Sequence, residues 1–418
     1  MEDIKVVERF PDGLVTPPPS KSLGHRAVIS AALAAFGDAP GESEVRNLGN
    51  SEDITATLLG VRALGAQWEI RGDHLYVPKG RGKREAKVDC GESGSTLRFL
   101  LPIAALEEGE TVFTGRGRLL ERPLDVYDGV FAQGGVEFTH NRNEARVRGP
   151  LRGGVYSLPG NVSSQFVSGL LFALPLAEED SEIRLTTSLE SGAYVDLTLD
   201  VIRSFGVKIE QKDAASYRIK GGQVYLPRIY EVEADYSQAA YFLSAAALGR
   251  KVKCKGLNPE SRQGDRAILR VLREMGAEIL WKDDIVSVQA RELAAVTVDA
   301  REIPDLIPPI AVLCSLGQGT SKIVNAGRLR LKESDRLHAM ARELAKLGAQ
   351  VIEGEDSLII TGAPRLKGGQ ADAWGDHRIA MSMALAAIRC DGPVELTGWQ
   401  SVKKSYPNFW CDFEKGYK

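Results

Sequence analysis

Cations stand where helix electrostatics disfavours them. In "TPPPSKSLGHRAVISAALAAFG" a proline-stiffened approach leads into an alanine-rich helix whose first turns carry Lys21, His25 and Arg26. The helix macrodipole is positive at its N-terminus, so cations there are misplaced unless an anion sits beside them. The arrangement recurs with Arg98 in "SGSTLRFLLP", with His377 and Arg378 in "DHRIAMSMAL", and with Lys332 and Arg336 in "LRLKESDRL". Arg122 in "LLERPLDVY" and Lys404 before "SYPNF" hold similar places. A single arginine is commonly a solvated charge. Recurrence at equivalent helix starts points instead to an anionic substrate, because helix N-termini add their own N–H groups. Two carboxylates could carry protons nearby: Asp305 in "IPDLIPP" and Glu333 in "LKESD". Each has an alternative reading, Asp305 as a helix cap and Glu333 as an early-helix acid favoured by the dipole. Ser163 and Ser164 in "SSQF" offer hydroxyls that either cap a helix or meet a ligand.

The elements that position these residues form an internal repeat. Six stretches run from polar starters through an apolar helix of about three turns to a charged break and a short β-branched strand. Anchored at Ser22, Ser95, Ser164, Ser237, Asp305 and Asp376, they are 73, 69, 73, 68 and 71 residues apart. A second helix follows each, ending at glycine in five copies, as in "VRALGAQWEI" and "ARELAKLGAQVI". Glycine ends a helix by turning left-handed without steric cost. A returning strand such as "HLYVP" or "SLIITG" comes next, and a short strand such as "AKVDC" or "YEVEA" precedes each first helix. The unit reads β-α-β-α-β-β, written six times, with the sixth cut short. We expect the N-terminal strand to complete the last unit. Residues 20–233 then form one domain (copies one to three), and residues 1–19 with 234–418 form the other. A solenoid of six tandem copies is the alternative, but its periods are usually about 20 to 50 residues.

Composition narrows the function. With 53 basic and 56 acidic residues spread along 418, the net charge is -3, and no basic arm advertises nucleic acid. Five separated cysteines without a C-x-x-C pair argue for reduced thiols and a cytoplasmic location, not for disulfides or zinc. The apolar runs are too short for a membrane span. Phosphate-loop, nucleophile-elbow and H-E-x-x-H signatures are absent, and the histidines are scattered singly, so neither a cofactor nor a metal is expected.

Taken together, "PPSKSLGHRA", "GESGSTLRFLLP", "LLERPL", "GNVSSQFVSGLL", "IPDLIPPIAVL", "LRLKESDRL", "GDHRIAMSMAL" and "KKSYPNFW" resemble the 5-enolpyruvylshikimate 3-phosphate synthases, a family of enolpyruvyl transferases. The resemblance spans essentially the whole chain. It implies two similar α/β domains, each of three β-α-β-α-β-β repeats in an inside-out barrel, with the active site in the interdomain cleft. The implied reaction moves the enolpyruvyl group of phosphoenolpyruvate to the 5-hydroxyl of shikimate 3-phosphate and releases phosphate, on the route to chorismate and aromatic amino acids. By resemblance, Lys21, Ser22, Arg26, Ser163, Ser164, Gln165, Ser191, Tyr194, Asp305 and Lys332 contact shikimate 3-phosphate. Lys21, Gly94, Arg122, Gln165, Arg336, Arg378 and Lys404 contact phosphoenolpyruvate. Asp305, Glu333 and Lys21 handle protons. The implied partners are these small molecules alone, with no nucleic acid or membrane, and the implied form is a monomer.

Some positions depart from the pattern. Glu92 replaces the usual asparagine in "GESGSTLR", Phe99 a common proline and Arg328 a common asparagine. Glu92 puts a carboxylate beside an anion site, so its side chain is expected to turn away or pair with a cation. Related transferases acting on a UDP-aminosugar usually carry a reactive cysteine in the loop that reads "GRGRLLERP" here, without one. RNA-terminal phosphate cyclases, built from similar units, would need a basic RNA surface. A non-enzymatic repeat scaffold would have no reason to place cations at equivalent helix starts.

Overall fold

The computed structural model describes residues 3–290 and 292–415. The first helices of the six repeats are Lys21–Phe36, Gly94–Ala104, Ser164–Ala173, Tyr236–Ala247, Ile307–Leu316 and His377–Ala387. Every residue of the last three is buried. A helix apolar on all sides must be surrounded by protein, and the alanines on these helices let their neighbours approach closely. Each fully buried Leu, Ile, Val or Phe contributes about 1.5–3 kcal/mol. The second helices differ: Arg336–Lys346 has one apolar face, and it ends at Gly348, whose φ of +97° suits a residue without a Cβ.

Close approach is enforced at Gly169, in the helix Ser164–Ala173. A methyl there would overlap the carbonyl oxygen of Arg98 and the hydroxyl of Tyr127, which donates to that same carbonyl at 2.5 Å. Gly169 thereby holds the helix that carries Arg98 against the one that carries Gln165.

Among the described residues the strands form six sheets, and their topology corrects one expected strand assignment. The strand Lys5–Val7 pairs antiparallel with Val394–Thr397 and completes the sixth repeat's sheet. The strand Gly13–Val15, however, runs parallel to Val252–Lys255 and leads the sheet of the fourth repeat. Ile229–Glu231, the "YEVEA" strand expected to lead the fourth repeat, instead runs parallel to Glu42–Arg46 in the first repeat's sheet. Where the chain crosses between its halves, each leading strand is therefore exchanged. Alternating side chains determine that a segment is a strand but not which of two similar sheets accepts it.

The chain divides into two compact units, one from Lys21 to Val232 and the other comprising the segment up to Ser20 with everything from Glu233. Each has its own apolar core. The crossings are tied by backbone bonds, Ser20 N to Glu233 O at 2.7 Å and Asp235 N to Pro18 O at 2.8 Å. No helix among the described residues is long and apolar enough to cross a membrane.

Candidate active site

In the unit that begins again at Glu233, one guanidinium gathers three carboxylates. Arg336, the first residue of its helix, is almost wholly buried. Its Nε donates to Asp376 Oδ2 at 2.8 Å, Nη1 to Asp305 Oδ1 at 2.9 Å and Nη2 to Glu333 Oε2 at 2.7 Å. Arg378 takes the other oxygen of Asp305, Nη2 to Oδ2 at 2.8 Å, and donates through Nη1 to the Asp305 carbonyl at 3.1 Å. Lys404 Nζ stands 3.9 Å from Glu333 Oε1. Buried cations and anions in such numbers hold one another ionised. Burial alone would raise the Asp305 carboxyl, but Arg378, Lys332 and Arg336 outweigh it and keep the group well below the ordinary carboxylate range. Burial lowers Lys332 to about 7, with Arg328 and Arg336 adding to the fall while Asp305 and Glu333 oppose it.

Neither acid caps a helix. Asp305 lies in a single 3₁₀ turn, Pro304–Leu306, before the helix Ile307–Leu316, and neither element has a side-chain cap. Its carboxylate is spent on the arginines. Glu333 precedes the helix start, which Asp335 caps by accepting from His338 N at 3.0 Å.

In the Lys21–Val232 unit two of the three first helices carry cations near their starts, Lys21 and Arg26 in one and Arg98 in the next, while the third carries Gln165. Lys21 Nζ is 2.6 Å from Asp53 Oδ2. One turn further on, His25 Nδ1 meets Thr57 Oγ1 at 2.6 Å, so two rungs join the first helix to Glu52–Ala63. Burial lowers His25 to about 3; Lys21 and Arg26 add to this against Asp53. Arg98 Nη1 donates to Gln165 Oε1 at 2.8 Å, and Gln165 Nε2 donates to Ser95 Oγ at 2.9 Å. The guanidinium of Arg122 lies against Gly94, where a methyl would stand 2.8 Å from Nη1. Ser163 caps its helix by accepting from Gln165 N at 3.3 Å, with Ser164 the first residue of that helix. Ser191 precedes the helix Gly192–Ser204 with φ of +57°, a left-handed conformation uncommon for serine.

Arg26 is turned inward. It donates to Thr198 Oγ1 at 2.8 Å, to the Ser22 carbonyl at 2.7 Å and to the Tyr194 carbonyl at 2.8 Å, and burial lowers it to about 10. Three of its five N–H groups are so engaged. Glu92 is exposed and leans on Gly117, its Oε1 lying 2.9 Å from where a methyl on that glycine would stand.

Two side chains that support the cations were passed over in the sequence. Asp376 was visible only as a repeat anchor, and nothing local shows that it grips Arg336, 40 residues away. Asp53 sits in "SEDI", where an acid in a first helical turn is unremarkable without its partner Lys21.

Solved structures establish the class of fold. An EPSP synthase from Acinetobacter baumannii superimposes with a TM-score of 0.79 at 24% identity, over 98% of this chain and 97% of that one. The enolpyruvyl transferase NikO from Streptomyces tendae gives 0.79 at 18%, over 98% and 96%. The particular family follows from sequence: the family model for EPSP synthase (3-phosphoshikimate 1-carboxyvinyltransferase) matches residues 11–413, and the chain belongs to that family. Relatives named 3-phosphoshikimate 1-carboxyvinyltransferase include one from Clostridium novyi, 46% identical over 99% of this chain and 97% of the relative. Another, from Clostridium acetobutylicum, is 47% identical over 95% and 93%.

Proposed function

We propose that the protein transfers the enolpyruvyl group of phosphoenolpyruvate to the 5-hydroxyl of shikimate 3-phosphate, releasing phosphate. The observation that carries this reading is the cluster in which Arg336 and Arg378 hold Asp305, with Glu333, Lys332 and Lys404 around them. Anionic substrates need fixed cations, and addition to an enol phosphate followed by elimination of phosphate needs both an acid and a base.

In the first step the substrate hydroxyl attacks C2 of phosphoenolpyruvate, its proton passing to Asp305 while C3 gains a proton from Lys21 or Glu333. The second step removes a proton from the new methyl group as phosphate leaves the tetrahedral intermediate. Each positioned acid or base contributes about 100-fold to 10,000-fold. Arg122, Arg336, Arg378 and Lys404, with Lys21, Gln165 and the backbone at Gly94, serve phosphoenolpyruvate. Ser22, Arg26, Ser163, Ser164, Gln165, Ser191, Tyr194 and Lys332 serve shikimate 3-phosphate. Arginine suits this work because its planar fork matches carboxylate and phosphate and stays charged throughout. The working form is taken as a cytoplasmic monomer. Four of the five cysteines are buried thiols, which accords with a reducing compartment.

The test is phosphate release from phosphoenolpyruvate with shikimate 3-phosphate, run beside phosphoenolpyruvate with UDP-N-acetylglucosamine. Release with the first pair alone is expected. Release only with the aminosugar, or with neither, overturns the reading.

A further inference from the structure

Two carboxylates, Asp376 and Asp305, share the Arg336 guanidinium, and they are held very differently. Asp376 is fully buried. Its Oδ2 accepts from Ser334 Oγ at 3.0 Å and from Arg336 Nε at 2.8 Å. Its Oδ1 accepts from Arg378 N at 2.9 Å, as the cap of the helix His377–Ala387, and lies 3.4 Å from Arg336 Nη2. Leaving this place would strand a charge in the interior and uncap a helix, so Asp376 is fixed.

Asp305 has no such anchorage. Its side chain is 23% exposed, caps no helix, and meets the two arginines through one oxygen each. Side-chain rotation alone would release both bonds, while the Asp305 carbonyl kept its own bond from Arg378 Nη1. The carboxylate lies across the two guanidinium groups as an incoming carboxylate or phosphate would. When Asp305 turns away, the cations Arg336, Arg378, Lys332 and Lys404 face the carboxylates Glu333, Asp376 and Asp265, so a net positive charge remains.

We propose that these two carboxylates have opposite tasks: Asp376 is a positioning residue that keeps the Arg336 guanidinium aimed, and Asp305 is a resident anion that the substrate anion replaces. The inference rests on the reading that phosphoenolpyruvate binds Arg336 and Arg378. The exchange couples binding to catalysis. While paired, Asp305 is a poor base; once phosphoenolpyruvate takes its arginines, the released carboxylate loses the contacts that suppress its basicity. The site arms its base only when phosphoenolpyruvate has arrived.

The experiment is isothermal titration of phosphoenolpyruvate, and separately of inorganic phosphate, into the wild type, Asp305→Asn, Asp305→Ala and Asp376→Asn. Removing a resident competitor raises apparent affinity, so both Asp305 variants should bind at least about tenfold more tightly than wild type. Asp376→Asn keeps a capping side chain but loses the charge that aims Arg336, and should bind about tenfold more weakly. Opposite signs at two carboxylates on the same guanidinium are not what a shared structural role would produce. Equal or weaker binding by the Asp305 variants, or unchanged binding by Asp376→Asn, overturns the proposal. Should circular dichroism show Asp376→Asn unfolded, Ser334→Ala loosens the same carboxylate, with about a threefold loss expected and none overturning its part. Turnover by the wild type, measured alongside with both substrates, separates failure of the exchange from failure of the assigned reaction.

Discussion

Replacing Thr57 by valine should destabilise the Lys21–Val232 unit far more than the change in shape suggests. Thr57 stands in the middle of a buried chain, His25 Nδ1 to Thr57 Oγ1 at 2.6 Å, Thr57 to Thr96 Oγ1 at 2.6 Å, and Thr96 Oγ1 donating to Ser93 Oγ at 2.7 Å. A hydroxyl has one hydrogen to give. Thr96 gives its hydrogen to Ser93, so Thr57 donates to Thr96 and His25 must donate from Nδ1, which determines its tautomer. Valine keeps the volume and removes the link, leaving the His25 N–H without a partner while Thr96 keeps its bond to Ser93. One orphaned buried group costs about 1–3 kcal/mol. For a unit of this size that lowers the midpoint by about 2–12 °C. Thr57→Ser keeps the hydroxyl and should lose only about 1 kcal/mol with its methyl group. Calorimetric melting of the wild type and both variants decides it. If valine melts with serine, within a degree or two of wild type, the directional chain contributes nothing and the tautomer argument falls with it.

Three further outcomes are expected. His25 titrates near 3 when folded and near 6.5 when unfolded, so the unfolded chain binds the extra proton between those values. Its contribution is complete above about pH 6.5 and is lost, at up to about 1.4 kcal/mol per unit, as the pH falls toward 3; melting from pH 7 to 4 should show a shallower slope for His25→Gln. Gly94→Ala would push its methyl to within 2.8 Å of the Arg122 guanidinium, which must shift; KM for phosphoenolpyruvate should rise about tenfold or more with stability nearly unchanged, since one charged hydrogen bond is worth that much. Lys332 titrates near 7 and is largely neutral at pH 8 in the empty protein, so an arriving anion should restore its charge; titration calorimetry in buffers of different ionisation enthalpy should then show uptake of up to about one proton, abolished in Lys332→Arg.

The repeat was legible because its signals are local. Apolar periodicity, helix-ending glycines such as Gly348 and cations at helix starts all act within a turn or two of the residues that carry them. The strand exchange was not legible, since Gly13–Val15 and Ile229–Glu231 look alike as segments and differ only in the sheet that receives them. Asp305 shows the same limit within the site. "IPDLIPP" suits a helix cap as well as a catalytic acid, and only the folded chain brings Arg336 and Arg378, 31 and 73 residues away, onto its two oxygens.

The sequence by itself thus determined the kinds of element, their sixfold repetition, and the need for an anion beside Lys21, Arg98, Arg336 and Arg378. Those properties follow from backbone sterics, side-chain periodicity and the helix dipole, which each short segment expresses on its own. Folding decided what each cation meets: Asp53 for Lys21, Gln165 for Arg98, and Asp305 for both Arg336 and Arg378. Those pairings join residues tens of positions apart, and their strength depends on how far burial removes water from between them.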